Sequence, residues 1–286
     1  TGDHVLFVNQ IYGPTLQLAQ HLRRFGIEHD VLLETDRPAI ERSLRTNTRL
    51  IWLESPGTML FRMVDLEAVA DLARSRGVLT CIDNTWATPL LQKPLELGID
   101  LSVHTGTKYL GGHSDLMAGA LIGREALMEQ IFERAYMLGG GILSPFDAWV
   151  LLRGLRTLPV RLEKHESDGL KVASYLSSHA AVRRVFHPAI TGGELATRQL
   201  RGYSGVLSFE LAKPDYANVC RVIDALELFR IAVSWGGVES VVISPERGSN
   251  ADALAAQGIP RGLIRLSVGL EGADALIADL SQALNA

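Results

Sequence analysis

The chain has 286 residues, of which 47% are apolar and 21% charged, with a formal charge of −4. That length is enough for a sizeable core in one large domain or two, and the composition is globular, without a disorder signature. The slightly acidic balance gives no support to a polyanionic partner such as nucleic acid, and a charge or a turn interrupts each apolar run before it could span a bilayer. A soluble, cytoplasmic protein is therefore expected.

Thr1-Gly2-Asp3-His4 leads at once into the strand-like Val5–Asn9, and a chain that opens inside a core element is expected to have further residues upstream. Helical periodicity comes next over Pro14–Phe25, then a strand at Asp30–Leu33, a helix at Pro38–Leu44 and a strand at Leu50–Leu53. Beyond these lie a helix at Leu66–Arg76 and strands at Val78–Asp83 and Leu101–His104. Short runs that are apolar throughout, separated by amphipathic helices, predict a mostly parallel sheet covered on both faces. Gly139-Gly140-Gly141 reads as a connection. Ser144-Pro145-Phe146-Asp147 reads as a helix start, with Ser as N-cap, Pro in the first turn and an acid behind it. The helical stretch runs past Leu155 and Pro159 to about Ser178. The character then changes, with strands at Val206–Leu211, Ala232–Trp235, Ser240–Ile243 and Leu263–Val268, and helices at Tyr216–Leu228 and Gly272–Leu284. The expected organisation is an α/β domain over 1–154 and a smaller α+β domain over 155–286. Cys81 and Cys220 match no metal spacing, and Cys81 falls inside an apolar strand, where a reduced core thiol is expected.

In open α/β sheets ligands bind beyond the carboxyl ends of the strands, so the residues just past each apolar run are the first candidates for a site. Tyr12 comes after the first run, Ser55-Pro56-Gly57 after the third, Asp83-Asn84-Thr85-Trp86 at the end of the fourth and Thr105-Gly106-Thr107-Lys108-Tyr109 after the fifth. A parallel sheet would place these loops on one rim. An aromatic ring, a carboxylate, hydroxyls and a lysine suit pyridoxal 5'-phosphate (PLP), which needs an amine for its Schiff base and an acid against its pyridine nitrogen. It also needs donors for its phosphate and a flat group over its ring. Thr105 and Thr107 flank Lys108 and could offer hydroxyls to that phosphate. Taken singly, Lys108 also reads as a solvated surface lysine, Asp83 as a turn or capping residue and Tyr12 as packing. Arg265 lies in mid-strand, where a buried guanidinium would either fork onto a carboxylate ligand or form a structural ion pair. Ser234-Trp235-Gly236-Gly237 could form a pocket wall, or Trp235 could sit in the core.

Nucleotide-phosphate glycine loops and a Gly-x-Ser-x-Gly nucleophile elbow are absent from the sequence. His104, His113 and Asp115 match no metal-ligand spacing, so no metal is expected.

Ile82-Asp83-Asn84-Thr85-Trp86-Ala87-Thr88-Pro89, with Thr105-Gly106-Thr107-Lys108-Tyr109-Leu110-Gly111-Gly112-His113-Ser114-Asp115 after it, resembles the cofactor segment of the PLP-dependent Cys/Met-metabolism family. Gly140–Trp149, Arg153–Leu158 and Gly202-Tyr203-Ser204-Gly205 resemble it too, and the similarity runs along essentially the whole chain. The resemblance implies the PLP-dependent transferase-like fold (fold type I), with PLP as cofactor and a homotetramer as the assembly. It implies that Lys108 carries the cofactor and moves protons, Asp83 pairs with the pyridine nitrogen, and Tyr12 stacks on the ring near the substrate. Thr105 and Thr107 would hold the phosphate, and Arg265 would grip the substrate carboxylate beside Ser234 and Trp235. Trp86, Trp235 and Glu54-Ser55-Pro56-Gly57 tilt the resemblance toward the cystathionine β-lyase branch. A carbon–sulfur lyase is then expected, converting L-cystathionine to homocysteine, pyruvate and ammonia by α,β-elimination. The γ-acting branches and a non-catalytic PLP-binding chain are the alternatives. Family members carry a further N-terminal segment, with a glycine-rich phosphate loop and a Tyr-x-Arg reaching a neighbouring subunit, and neither motif occurs in this sequence.

Overall fold

The computed structural model describes residues 1–286. Its first half alternates as the periodicity predicts: β1 (His4–Val8), α1 (Gly13–Leu22), β2 (Glu28–Leu32), α2 (Arg37–Ser43), β3 (Thr48–Glu54), α3 (Leu66–Arg76), β4 (Leu79–Asp83) and β5 (Leu101–Thr105). The helix starts are chemically marked. Asp36 and Asp65 accept from the Ala39 and Ala68 amides, satisfying donors that the first turn leaves unpaired. The strands join in the order β2-β1-β3-β4-β5, all parallel, and β6 (Gly119–Gly123) adds antiparallel to the β5 edge. Leu6, Val8, Ile51, Leu53 and Ile82 on the sheet pack against Val69 and Leu72 of α3 in one cluster. Burying such a side chain contributes about 1.5–3 kcal/mol. Strands β1, β3, β4 and β5 consequently end on one rim.

A single helix, Pro145–Ser178, connects the two halves, started by the Ser144 side chain on the Asp147 amide and running through Pro159. The expected division near Gly154 falls inside this helix. Its first half lies on the first sheet's loops: a Cβ added at Gly154 would meet the Gly111 carbonyl at 2.4 Å, so only glycine allows this approach. Its second half contributes Val172, Ala173 and Leu176 to the core of a second sheet. That sheet holds β7 (Val182–Phe186), β8 (Val206–Leu211), β9 (Arg230–Ile231), β10 (Val241–Ile243) and β11 (Leu263–Ser267), in the order β7-β8-β11-β10-β9. The pairs are antiparallel except β9 with β10. Helices Tyr216–Ala225 and Ala273–Asn285 complete its cover. The architecture is the α/β domain with a smaller α+β unit that the sequence implies. No helix is long and apolar enough to cross a membrane.

One predicted element is corrected. Ala232–Trp235 is not a strand, because the ladder stops at Ile231. Beyond it the Val233 carbonyl accepts from the Arg265 side chain, and Gly236 turns at φ +80° with its amide on Ser267 Oγ. The chain leaves the sheet to bring Ser234 to Lys108. Strands β6 and β7, and the two-residue β9, escape the sequence reading. The first is bracketed by glycines, which read as turns, and the second carries Arg183 and Arg184 in place of an apolar alternation.

Candidate active site

The end of β5 continues into a tight turn, Gly106–Leu110, in which Lys108 departs from helical geometry at φ −93°, ψ −131°. That departure throws the side chain back across the rim. Its Nζ donates to Ser234 Oγ at 2.9 Å and lies 5.5 Å from the Trp235 ring centre. Burial, and secondarily the Arg265 guanidinium, lower the Lys108 pKa to about 8, because both disfavour the ammonium form. A much larger share of this amine is therefore neutral and nucleophilic near neutrality than for an ordinary lysine.

Asp83 closes β4 and faces the same pocket. Its Oδ1 accepts from the Thr85 amide at 3.0 Å and from the Thr85 hydroxyl at 2.5 Å, and Thr85 Oγ1 in turn accepts from the Thr105 amide at 2.8 Å. This chain aims the carboxyl group and ties the ends of β4 and β5 together. Burial raises the Asp83 pKa, opposed by the Thr85 hydrogen bonds. The second oxygen has no hydrogen-bond partner in the protein, leaving it available to a cationic nitrogen.

Lys108, Asp83, Tyr12, Thr105, Trp235 and Arg265 line one pocket, reached from β4, β5, β11 and two loops. Tyr12, in the loop after β1, is 43% exposed and supplies a ring at the pocket edge. Ser234 reaches the site through Lys108. Thr107 stands off the pocket wall, its hydroxyl accepting from the Ala118 amide at 3.1 Å. Arg265 is 6% exposed, donates to the Val233 carbonyl at 2.6 Å and has no salt bridge to any acid. The structural ion pair that its mid-strand position also allowed is not formed, so a buried cation is left open to a ligand. Burial lowers its pKa to about 10, against the raising influence of Glu54 and Tyr12. Trp235 packs edge-on against Tyr109, with ring centres 5.6 Å apart, while lining the pocket. It is core and wall at once.

His104, His113 and Asp115 do not gather. His104 Nε2 pairs with Ser102 Oγ and His113 Nδ1 with the Gly111 carbonyl, and burial holds His104 down to about 4. Some pocket residues were not singled out from the sequence. Glu54 ends β3 as Asp83 ends β4, the two being register partners, and the rule that selected Asp83 applies to it equally. Thr85 falls in the strand-end run that the sequence marks, but its part in aiming Asp83 is not assigned there. Phe61 and Trp86, ring centres 6.1 Å apart, form a wall; Trp86 lies in the run marked after β4, whereas no local pattern announces Phe61.

A nucleophilic amine, an aimed carboxyl group with one free oxygen, an aromatic rim and a buried cation without a salt bridge share one pocket, a set able to hold an aldehyde cofactor and a carboxylate. The residues fit PLP: the amine is set to condense with an aldehyde, and the free carboxylate oxygen to meet a pyridine nitrogen.

The family profile of the Cys/Met metabolism PLP-dependent enzymes matches residues 1–285, and the chain belongs to that family. It is 41% identical over 292 residues to the cystathionine beta-lyase MetC of Bacillus subtilis (strain 168), covering 99% of this chain and 74% of that protein. It is 38% identical over 292 residues to the cystathionine gamma-lyase of the same organism, covering 99% and 76%. Among solved structures it is similar to cystathionine gamma-lyase from Lactobacillus plantarum complexed with L-serine, with a TM-score of 0.93 and 33% identity over 100% of this chain and 76% of that one. The protein is a PLP-dependent enzyme of sulfur amino-acid metabolism.

Proposed function

We propose that the chain is a carbon–sulfur lyase that cleaves L-cystathionine by α,β-elimination to homocysteine, pyruvate and ammonia. The observation that carries this reading is the convergence on one pocket of the Lys108 amine, the free Asp83 oxygen and the unpaired Arg265 guanidinium. PLP supplies an electron sink for the charge left when the α-proton is removed. The roles given to the protein's own parts are those the family resemblance implies. Arg265 grips the substrate carboxylate in a two-pronged contact, with Ser234 and Trp235 beside it. Lys108, as a free amine beside the bound substrate, would remove the α-proton, a task suited to a group whose pKa is about 8. Asp83 would hold the pyridine nitrogen protonated, Thr105 and Thr107 would help hold the phosphate, and Tyr12 would pack on the ring. Trp86 and Trp235 favour the β-cleaving reading within the family.

Self-association belongs to the same proposal, with a homotetramer as the assembly. Leu138, Ile142, Phe146 and Trp149 are all exposed along one stretch before and at the start of the long helix, an apolar row of the kind that marks interaction surfaces.

The test is purified protein supplied with PLP and cystathionine, assayed for both keto acids, with Lys108→Ala as control. Pyruvate is expected. Predominant 2-oxobutanoate would replace the reading with the γ-cleaving one, which the 38% identity to a gamma-lyase favours. No keto acid above the control would refute a lyase.

A further inference from the structure

Within the pocket, Glu54 is the carboxyl group that the reaction just described does not use. It is 9% exposed and sits at the end of β3. Its Oε2 accepts from the Tyr12 amide at 2.8 Å. Its main-chain carbonyl accepts from Asn9 Nδ2, also at 2.8 Å. Asn9 and Tyr12 are the two ends of the short loop that leads from β1 into α1. One residue thus fastens both ends of the loop that carries the pocket's tyrosine.

The rest of the connection is consistent with a staple. Asn9 adopts φ +80°, a left-handed conformation that asparagine tolerates, and its Nδ2 also donates to the Arg62 carbonyl at 2.9 Å. Gln10 Oε1 accepts from the Leu60 amide and the Gln10 carbonyl from the Thr58 amide. These contacts fix the neighbouring main chain; the Tyr12 carbonyl accepts from the Thr15 and Leu16 amides of its own helix, and its amide is held by Glu54.

We propose that Glu54 is a positioning residue for the site, holding Tyr12 at the pocket edge by stapling the β1–α1 loop to the end of β3. The proposal goes beyond the cofactor chemistry and rests on that reading only in what Tyr12 is positioned to do.

The charged groups around Glu54 decide what form the staple takes. Asp83 is its register partner on β4, Arg265 comes from β11, and Thr58 and the Tyr12 amide come from the flanking loops. Burial, then the Asp83 charge, push its pKa well above the usual carboxylate range, and the hydrogen bonds from Tyr12 and Thr58 only partly offset this. Two neighbouring carboxyl groups do not both ionise cheaply. Burial beside Asp83 therefore biases Glu54 toward its neutral form, in which Oε2 still accepts from the Tyr12 amide. Glutamine keeps the shape and a carbonyl acceptor and so replaces the side-chain half of the staple, whereas alanine removes that half and leaves the main-chain contact with Asn9.

The experiment is amide hydrogen exchange over Gln10–Leu16 in cofactor-free protein, comparing wild type, Glu54→Gln and Glu54→Ala. Glu54→Ala should exchange at the Tyr12 amide at least about tenfold faster, corresponding to about 1.4 kcal/mol of lost protection. Glu54→Gln should stay within about twofold of wild type. An unchanged Glu54→Ala, or a Glu54→Gln that exchanges as fast as Glu54→Ala, overturns the proposal. Should Glu54→Ala not fold, the Glu54→Gln arm decides alone, protection within about twofold supporting the staple and faster exchange refuting it. Because no cofactor is present, this outcome is separate from the absorbance of Lys108-bound PLP in wild type, whose failure to appear would count against the cofactor assignment and not against the staple.

Discussion

Replacing Arg265 with methionine separates a ligand-binding cation from a structural one. The guanidinium is buried with no salt bridge to an acid, and burial lowers its pKa to about 10. Because the folded value is the lower one, the cost of keeping the group charged is fully present below pH 10 and disappears above the unfolded value. At about 1.4 kcal/mol per unit, that cost is about 3 kcal/mol at neutral pH. Methionine has similar length, removes the charge and gives up one hydrogen bond from a charged donor to the Val233 carbonyl, a loss of about 1.5–3 kcal/mol. Arg265→Met should therefore be as stable as wild type or more stable by up to about 1.5 kcal/mol in urea unfolding of the cofactor-free protein. The same change should raise KM for cystathionine by about 10- to 150-fold, since a hydrogen bond between charged groups contributes about 1.5–3 kcal/mol. A structural ion pair would give the opposite pattern, because breaking a buried pair costs about 3–5 kcal/mol. A loss of more than about 2 kcal/mol with unchanged KM would show the reasoning to be wrong.

The same geometry sets further outcomes at Lys108 and Gly236. Lys108 has its pKa lowered to about 8 by burial and by Arg265, so its neutral fraction rises as pH rises through that value. Reductive trapping of PLP on Lys108 should have its midpoint near pH 8, and a midpoint near the free-lysine value of about 10.4 would contradict it. Arg265→Met should move this midpoint upward, since a neighbouring cation is removed. At Gly236 the backbone has φ +80°, and a Cβ would meet the Tyr109 amide nitrogen at 2.9 Å. Gly236→Ala should destabilise by about 1–3 kcal/mol and displace Ser234 from Lys108. An unchanged urea midpoint and an unchanged Lys108 titration would show that the loop yields freely.

The alternation of apolar runs with helical periods by itself determined the parallel arrangement of β1 to β5. Period and capping are local properties, and Asp36, Asp65 and Ser144 cap helices where the chain announces it. The rule that ligands meet strand ends likewise made Asp83, Thr105, Lys108 and Tyr12 legible as neighbours, because topology alone brings those ends together. Only the tertiary structure decided what the second half contributes. Whether Arg265 pairs with an acid, whether Trp235 is wall or core, and whether 232–235 stays in the sheet all depend on how two sheets meet across the helix Pro145–Ser178. No local pattern encodes that meeting. Glu54 shows the boundary most clearly. Its place at the end of β3 was readable from the chain, but its function as a fastening for Tyr12 depends on burial, on Asp83 beside it and on an amide from a loop 42 residues away in sequence. Pairwise distance and desolvation, which set these properties, exist only once the chain has folded.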